Sequence, residues 1–302
     1  MINGVCPSCG RTAFDQFRMN LLECNTCGLV VDRAVWQQSV NETLEDEWFG
    51  EGYEPQRSPW VRVFERWNNA RTYRRLASLE LPGKSLLEIG VGSGSFLQYM
   101  RDLGFDVLGC DLSKAVCRMV GEKYGLATHH GSVSELPDTP QFDIVVMNHV
   151  LEHVADPVGV LREIRLRLKP GGALHIAVPN IASWDARLPG WTSFEPYHLL
   201  YFTPKTLHAT VEQAGFIIEK TATHESFSGW FLAVLRTLLG THRSKASDRT
   251  TSREARERSP VEHAYRVAMV VSGILTLPLR VVQGLFGKGD EVVLIARCED
   301  GH

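Results

Sequence analysis

The stretch LLEIGVGSGSFL, residues 86–97, sets a carboxylate, Glu88, just ahead of three alternating glycines, Gly90, Gly92 and Gly94. Glycines at a turn after an apolar run let the backbone close on a ligand and take conformations that side chains forbid. The dinucleotide fingerprint spaces its glycines as G-x-G-x-x-G so that a pyrophosphate meets a helix N-terminus. Here Ser95 occupies the third site of that pattern. Glu88 would repel a pyrophosphate and favour a ligand carrying an ammonium or sulfonium group. Asp111 ends VLGCD, roughly twenty residues on, where an acid suits a ribose diol because each hydroxyl can donate to a carboxylate oxygen. Taken singly, the glycines also read as a tight turn and Asp111 as a helix cap. Their order and joint occurrence favour a binding site.

Two further groups could do chemistry. CPSCG and CNTCG hold Cys6, Cys9, Cys24 and Cys27. Two C-x-x-C turns at that separation can close a tetrahedral four-thiolate shell, the glycine after each second cysteine easing the turn. Four thiolates leave no open position, so the expected metal is structural zinc, with iron as the chemical alternative. Cys110, Cys117 and Cys298 stand alone; this is no disulfide framework, and a reducing cytoplasm is the expected setting. The other group is histidine. His149 and His153 lie four apart in NHVLEHV, which predicts one shared helix face. His198, in EPYHLLYFTP, falls in a loop after an apolar strand, at the rim where an acceptor would dock. All three imidazoles are candidates for general acid–base work or for acceptor contact. Their other reading is hydrogen bonding that holds their loops.

These residues need a frame. From Lys84 the apolar strands SLLEI, DVLGC, LATHH, FDIVVMN and ALHIAVP alternate with helices expected over 95–103, 113–124 and 156–168. Such alternation predicts an α/β fold with a parallel sheet covered on both faces. The glycine turn and Asp111 then share the C-terminal sheet edge, where open α/β folds bind ligands. Asp156 and Pro157 read as the cap and first residue of one helix, and Thr203, Pro204 and Gly215 as the bounds of another. FIIEK is the next strand, and EVVLIARC, from Glu291, the last. Upstream, residues 60–79 carry helical spacing that Pro82-Gly83 interrupts.

At 302 residues, 44% hydrophobic and 22% charged, the chain has the composition of an ordinary globular protein. A net charge of -3 gives no global pull toward nucleic acid, and none is expected as a partner. MINGVCPSCG lacks the basic flank and apolar core of an export signal.

The region 60–215 resembles the class I S-adenosylmethionine-dependent methyltransferases. LLEIGVGSGSFL is similar to that family's first motif and GCDLS to its ribose-binding acid motif. FDIVVMNHVLEHVADPVGVLREIRLRLKPGGALHIAVPN is similar to its fourth strand, the following helix and the fifth strand. The resemblance implies a Rossmann-like, seven-stranded, doubly wound sheet whose last strand runs antiparallel. It implies that Glu88, Gly90 and Gly92 contact the methionine part of the cofactor and that Gly94 shapes the turn. Asp111 would bind the ribose hydroxyls, and Leu112 would pack on the adenine. Where the family often has an acid for the adenine amino group, GSVSELP offers Ser132 and Val133. Asn148 and His149 would line the cofactor. A histidine at the place of His198 also belongs to the resemblance, which makes it a candidate general base or acceptor-orienting group. The cysteine head resembles a rubredoxin-type zinc ribbon.

The expected organisation is a ribbon over 1–35, a linker over 36–59, a methyltransferase domain over 60–222 and 288–302, and an apolar helical insert over 223–287. The insert contains an apolar helix at 227–239, the polar stretch THRSKASDRTTSREARERSP with six basic and three acidic residues, and a strongly apolar run at 267–286 interrupted by Pro278 and Arg280. The thirteen uncharged residues 267–279 fall short of the roughly twenty needed to span a bilayer. A helical pair lying on an anionic membrane surface, or a lid over an oily acceptor, fits better; packed core helices or a dimer interface are the plainer readings. The expected activity is methylation, on oxygen more than on carbon or nitrogen, of a small-molecule, sugar or lipid-linked acceptor. Rival readings are a nucleic-acid or protein modifier that uses the ribbon as reader, and a module that binds the cofactor without catalysis.

Overall fold

A computed structural model describes residues 4–33, 59–137, 141–195, 197–240 and 260–298. The expected linker up to residue 58, and the basic stretch from 241 to 259, lie outside the described residues.

The N-terminal segment folds as a small antiparallel sheet, β1 (Phe14–Arg18), β2 (Leu21–Cys24) and β3 (Val30–Asp32). It does not stand apart. β3 pairs with β9 (Leu200–Tyr201) of the main body, Val30 opposite Tyr201 and Val31 opposite Leu200. Leu29 and Val31 join the same buried cluster as Leu199, Phe202, Leu207 and Val211. The buried Ser8 and Thr210 hydroxyls share a 3.0 Å hydrogen bond across the seam.

α1 (Pro59–Ala77) leads into β4 (Ser85–Ile89), ending before the expected Leu79 and Pro82. Alternation then runs through α2 (Ser95–Asp102), β5 (Asp106–Asp111), α3 (Lys114–Tyr124), β6 (Thr128–His130), β7 (Phe142–Asn148), α4 (Pro157–Arg167) and β8 (Leu168–Pro179). After β9 come α5 (Pro204–Gln213), β10 (Phe216–His224), α6 (Gly229–Leu239), α7 (Pro260–Leu275), α8 (Leu277–Leu285) and β11 (Glu291–Cys298). The sheet order is β10-β11-β8-β7-β4-β5-β6, with β11 antiparallel to both neighbours. This is the predicted doubly wound Rossmann-like sheet of seven strands.

The caps follow the sequence. Asp156 accepts from the Gly159 amide at 2.9 Å ahead of Pro157, and Thr203 accepts from Thr206 at 3.1 Å ahead of Pro204. Ser113 caps α3 rather than belonging to it. The sheet buries one apolar layer on each face: Leu87, Val145, Leu174 and Leu294 on one, Leu86, Ile144, Val146 and Ile295 on the other. The period-two side-chain alternation of strands produces this division.

The apolar run 267–286 is broken near its proline, as expected: α7 and α8 meet at an angle of 53°. Pro278 sits in the first turn of α8, where its missing N–H costs nothing, but it could not continue α7. One expectation needs correction: His149 and His153 do not share a helix. His149 has a left-handed backbone, φ 55°, and His153 ends a short 3₁₀ turn, Leu151–His153.

Candidate active site

β4, β5, β6 and β7 end together, and their following turns enclose a cavity of about 360 Å³. Gly90 and Gly92 line it with φ of 73° and 53°. A side chain at Gly90 would also run into Val150. Asp111 is aimed at the same space by backbone amides, accepting from Ser113 at 2.9 Å and Gly92 at 3.4 Å. Burial raises its affinity for a proton, and those same amides oppose the rise. Leu112, Ser132, Val133, Asn148, His149 and His153 complete the predicted set on this wall.

Three predicted residues lie elsewhere. Gly94 does not line the cavity; it starts α2, and a side chain there would press on Val120 and Tyr124. Glu88 is buried behind the glycine turn between Gly109 and Val146. Its Oε2 has no protein hydrogen bond, and burial followed by Asp111 lifts its proton affinity well above the usual carboxylate range. Glu88 therefore supports the turn from below instead of presenting a negative surface to the cavity. His198 is also buried, 6% exposed, and is not on the expected open rim. Glu135, just beyond Ser132 and Val133, is spent on Ser132, accepting from its amide at 2.6 Å and its hydroxyl at 3.0 Å.

The histidines converge on a residue the sequence reading passed over. Glu152 is 1% exposed. Its Oε1 lies 3.4 Å from His149 Nδ1 and 4.0 Å from both His153 Nε2 and His198 Nε2. The far nitrogens are pinned: His153 Nδ1 donates to the Tyr197 carbonyl at 3.2 Å, His198 Nδ1 to that of Ser193 at 2.8 Å. Burial pushes Glu152 toward the neutral form, but His149, His153 and His198 together hold it below the usual carboxylate range. Burial sends His198 down to about 4, so it is neutral.

His149 faces two ways. It lines the first cavity and also a second, about 260 Å³, bounded by Trp67, Arg71, Arg75, His224, Asp290 and Glu291. Its Nε2 donates to Glu291 Oε1 at 2.8 Å. Burial opposes a charge on His149, but Glu152 and Glu291 on either side raise its pKa well above 6.5 and keep it an imidazolium. Glu291 also takes a short contact from His224 Nε2, and Arg75 donates to His224 Nδ1 at 3.3 Å. Glu291 reaches this place because it opens β11. An antiparallel strand begins where its parallel neighbours end, so its first residue arrives at the ligand edge. A non-glycine residue in a left-handed conformation is held there by its surroundings, and such strain gathers at functional sites.

The region spanning α1 to β10, residues 62–221, matches the family described as "Methyltransferase domain". The chain belongs to this family. Relatives of the methyltransferase domain include a Mycolicibacterium smegmatis protein named "Probable S-adenosylmethionine-dependent methyltransferase", 32% identical over 152 residues, covering 49% of this chain and 58% of the relative. A ubiquinone biosynthesis O-methyltransferase of Cereibacter sphaeroides is 32% identical over 161 residues, 46% of this chain and 62% of its own. The chain thus spans little more than half the length of these curated relatives. The CcbJ methyltransferase of Streptomyces caelestis shares the fold at a TM-score of 0.50 and 16% identity, over 77% of this chain and 95% of that one.

Glu152 stood in plain view in NHVLEHV, an acid between two histidines in an otherwise apolar run. Glu291, His224, Arg71 and Arg75 carried no comparable signal, because only the sheet order and α1 bring them together.

Proposed function

We propose that this chain transfers a methyl group from S-adenosylmethionine to an oxygen of a small acceptor. One observation carries the reading: the cavity built by Gly90, Gly92 and Asp111 ends at His149, which also borders a second, polar chamber. The residues present fit the cofactor. The left-handed glycines leave room for a ligand against the backbone, the Asp111 carboxylate is turned into the cavity, and Leu112 lies 52% exposed on its wall. Gly90 and Gly92 would hold the methionine part, Asp111 the ribose hydroxyls, and Leu112, Ser132 and Val133 the adenine, with Asn148 beside them. When bound, this cofactor supplies a methyl carbon already activated by a sulfonium leaving group. What remains for the protein is to align the acceptor and accept its proton. His153 borders the cavity for that purpose, while His149, already protonated beside Glu152 and Glu291, is placed to donate a hydrogen bond to the acceptor. His198 acts through Glu152 as a positioning residue. Relatives named as O-methyltransferases favour oxygen as the acceptor atom. Isothermal titration with S-adenosylmethionine is the test. Binding that Asp111→Ala weakens supports the reading, and an intact chain indifferent to the cofactor removes it.

The second chamber suits the acceptor, which we read as a small molecule, a sugar or the head of a lipid-linked precursor. A role as nucleic-acid reader is disfavoured, since a net charge of -3 gives no global pull toward a polyanion.

We also infer that Cys6, Cys9, Cys24 and Cys27 hold structural zinc. Cys6–Cys27 and Cys9–Cys24 sulfurs lie 3.5 Å apart, near the roughly 3.8 Å edge of a tetrahedron with zinc–sulfur bonds of about 2.3 Å.

Against the insert we place an anionic membrane surface. Leu238, Leu239, Ile274, Leu275, Leu285 and Phe286 are 62–81% exposed on α6, α7 and the end of α8. Among the described residues no single helix is long and apolar enough to cross a bilayer, so a helical cluster lying on the surface is the fitting geometry. The sequence joining α6 to α7 is rich in arginine, which complements acidic headgroups. Co-sedimentation with phosphatidylglycerol vesicles checks this; equal binding by a chain lacking 227–287 ends it.

A further inference from the structure

The arrangement around Glu152 is unusual for a network of hydrogen bonds alone. Neither oxygen of this fully buried carboxylate has a protein hydrogen bond. Its close charged partner is His149, whose Nδ1 lies 3.4 Å from Oε1, and Oε2 has none among the described residues, so part of the desolvation cost of this carboxylate is left uncompensated. Two imidazoles present their Nε2 atoms to the same oxygen at 4.0 Å, too far to donate to it. Both imidazoles have their Nδ1 atoms committed to backbone carbonyls, which fixes the tautomer with a lone pair on Nε2. Two lone pairs and a carboxylate oxygen therefore converge with nothing between them. The ligand atoms of Glu152, His153 and His198 all lie within 4.8 Å of one another.

Metal-bound histidines characteristically donate their other ring N–H to a carbonyl or carboxylate, as both do here. Two histidines with one carboxylate is a catalytic zinc donor set, which leaves a coordination position open. Imidazole ligands select zinc or a similar first-row divalent ion over magnesium or calcium.

We propose that Glu152, His153 and His198 bind a zinc-class divalent cation at the floor of the cofactor cavity. This rests on the methyltransferase reading for its purpose, not for its chemistry, and with an ion bound His153 acts as a ligand rather than as the base, its Nδ1 being committed to the Tyr197 carbonyl. His153 lines the cavity together with Tyr197 and Asn148, so the open position faces the space shared by cofactor and acceptor. The ligand suited to that position is an acceptor oxygen, a phenol or vicinal diol above all, whose proton is more easily lost beside a dication. The site also gives buried His198 a purpose, since a neutral imidazole is the form that ligates. It is separate from the cysteine quartet, whose four thiolates would form a closed shell.

Metal content of the intact chain tests the proposal. After loading with zinc and desalting, mass spectrometry of the metal should find about two ions per chain, one thiolate-bound and one not. The paired variant Glu152→Gln with His198→Asn should fall to about one. Cobalt substitution separates the sites: the thiolate charge-transfer band should persist in the variant, while the visible d–d intensity of a nitrogen–oxygen site should be lost. One ion per chain in the wild type overturns the proposal. So does a folded variant that keeps both ions. If the variant does not fold, wild-type stoichiometry and the cobalt spectrum decide alone. Cofactor titration on the same samples keeps the two readings apart: a chain holding two ions but no S-adenosylmethionine sinks the methyltransferase reading and leaves the metal site standing.

Discussion

The two cavities that meet at His149 are built on different principles. The first is made of backbone and its near neighbours: left-handed glycines, amides that aim Asp111, and turns at the ends of four adjacent strands. Its lining comes from four short stretches of sequence, with Val160 and Glu163 added from α4 and Tyr197 and Leu199 from the loop ahead of β9. The second is made of charged side chains on α1, β10 and the start of β11, more than two hundred residues apart at the extremes. A site shaped by backbone is hard to alter without breaking the turn. A site shaped by long side chains can be re-specified one residue at a time. The common half of the reaction belongs in the first kind of site and the particular half in the second.

Mutations can break this comparison or sharpen it. The largest effect is expected at His153. His153→Gln should lower kcat by about a hundredfold or more, the usual worth of a positioned acid–base group, with cofactor affinity unchanged by calorimetry. An equal loss of cofactor affinity would mean that His153 belongs to the first site only. Asp111→Ala should weaken S-adenosylmethionine binding by about tenfold to a hundredfold, since hydrogen bonds to a charged group contribute about 1.5–3 kcal/mol. Arg71→Ala is the contrast: it should raise the KM for the acceptor and leave the cofactor Kd alone. Glu291→Gln removes one of the two carboxylates that keep His149 charged. The His149 pKa, followed by NMR, should fall, and the pH–rate profile should move with it.

The smallest effect is on stability. Burial, and then Arg75, depress His175 to about 3 from 6.5. A histidine depressed in the fold stays neutral while its unfolded counterpart takes up a proton. Its contribution is therefore complete above pH 6.5 and is lost as pH falls toward 3. Glu152 and Glu291, held low by their histidines, add loss in the same direction below their ordinary range. Thermal unfolding should show Tm declining from pH 6.5 downward, and His175→Leu should flatten the upper part of that decline.

The same contrast explains what the sequence revealed. Strand and helix alternation, the capping pairs at Asp156–Pro157 and Thr203–Pro204, and the glycine turn are local, and each could be read where it stands. The burial of Glu88 was not legible, because proximity in sequence to a binding turn says nothing about which sheet face a side chain takes. In β4 the alternation turns Glu88 toward Leu86 and away from the cavity. His149 and His153 were put on a helix by spacing alone. The 3₁₀ turn at 151–153 and the left-handed His149 replace it, and with that change Glu152 becomes the centre of the group. The chamber of Arg71, His224 and Glu291 was illegible because it exists only through tertiary pairing.

The hydrogen-bonded seam between β3 and β9 has a practical consequence. Leu199, Leu200 and Phe202 are covered in part by residues 4–33. A fragment trimmed to begin at α1 would uncover that apolar strip beside the loop bearing Tyr197 and His198. Such a fragment should aggregate or lose its binding geometry, so the cysteine-rich segment is better regarded as a buttress behind that loop than as a detachable accessory.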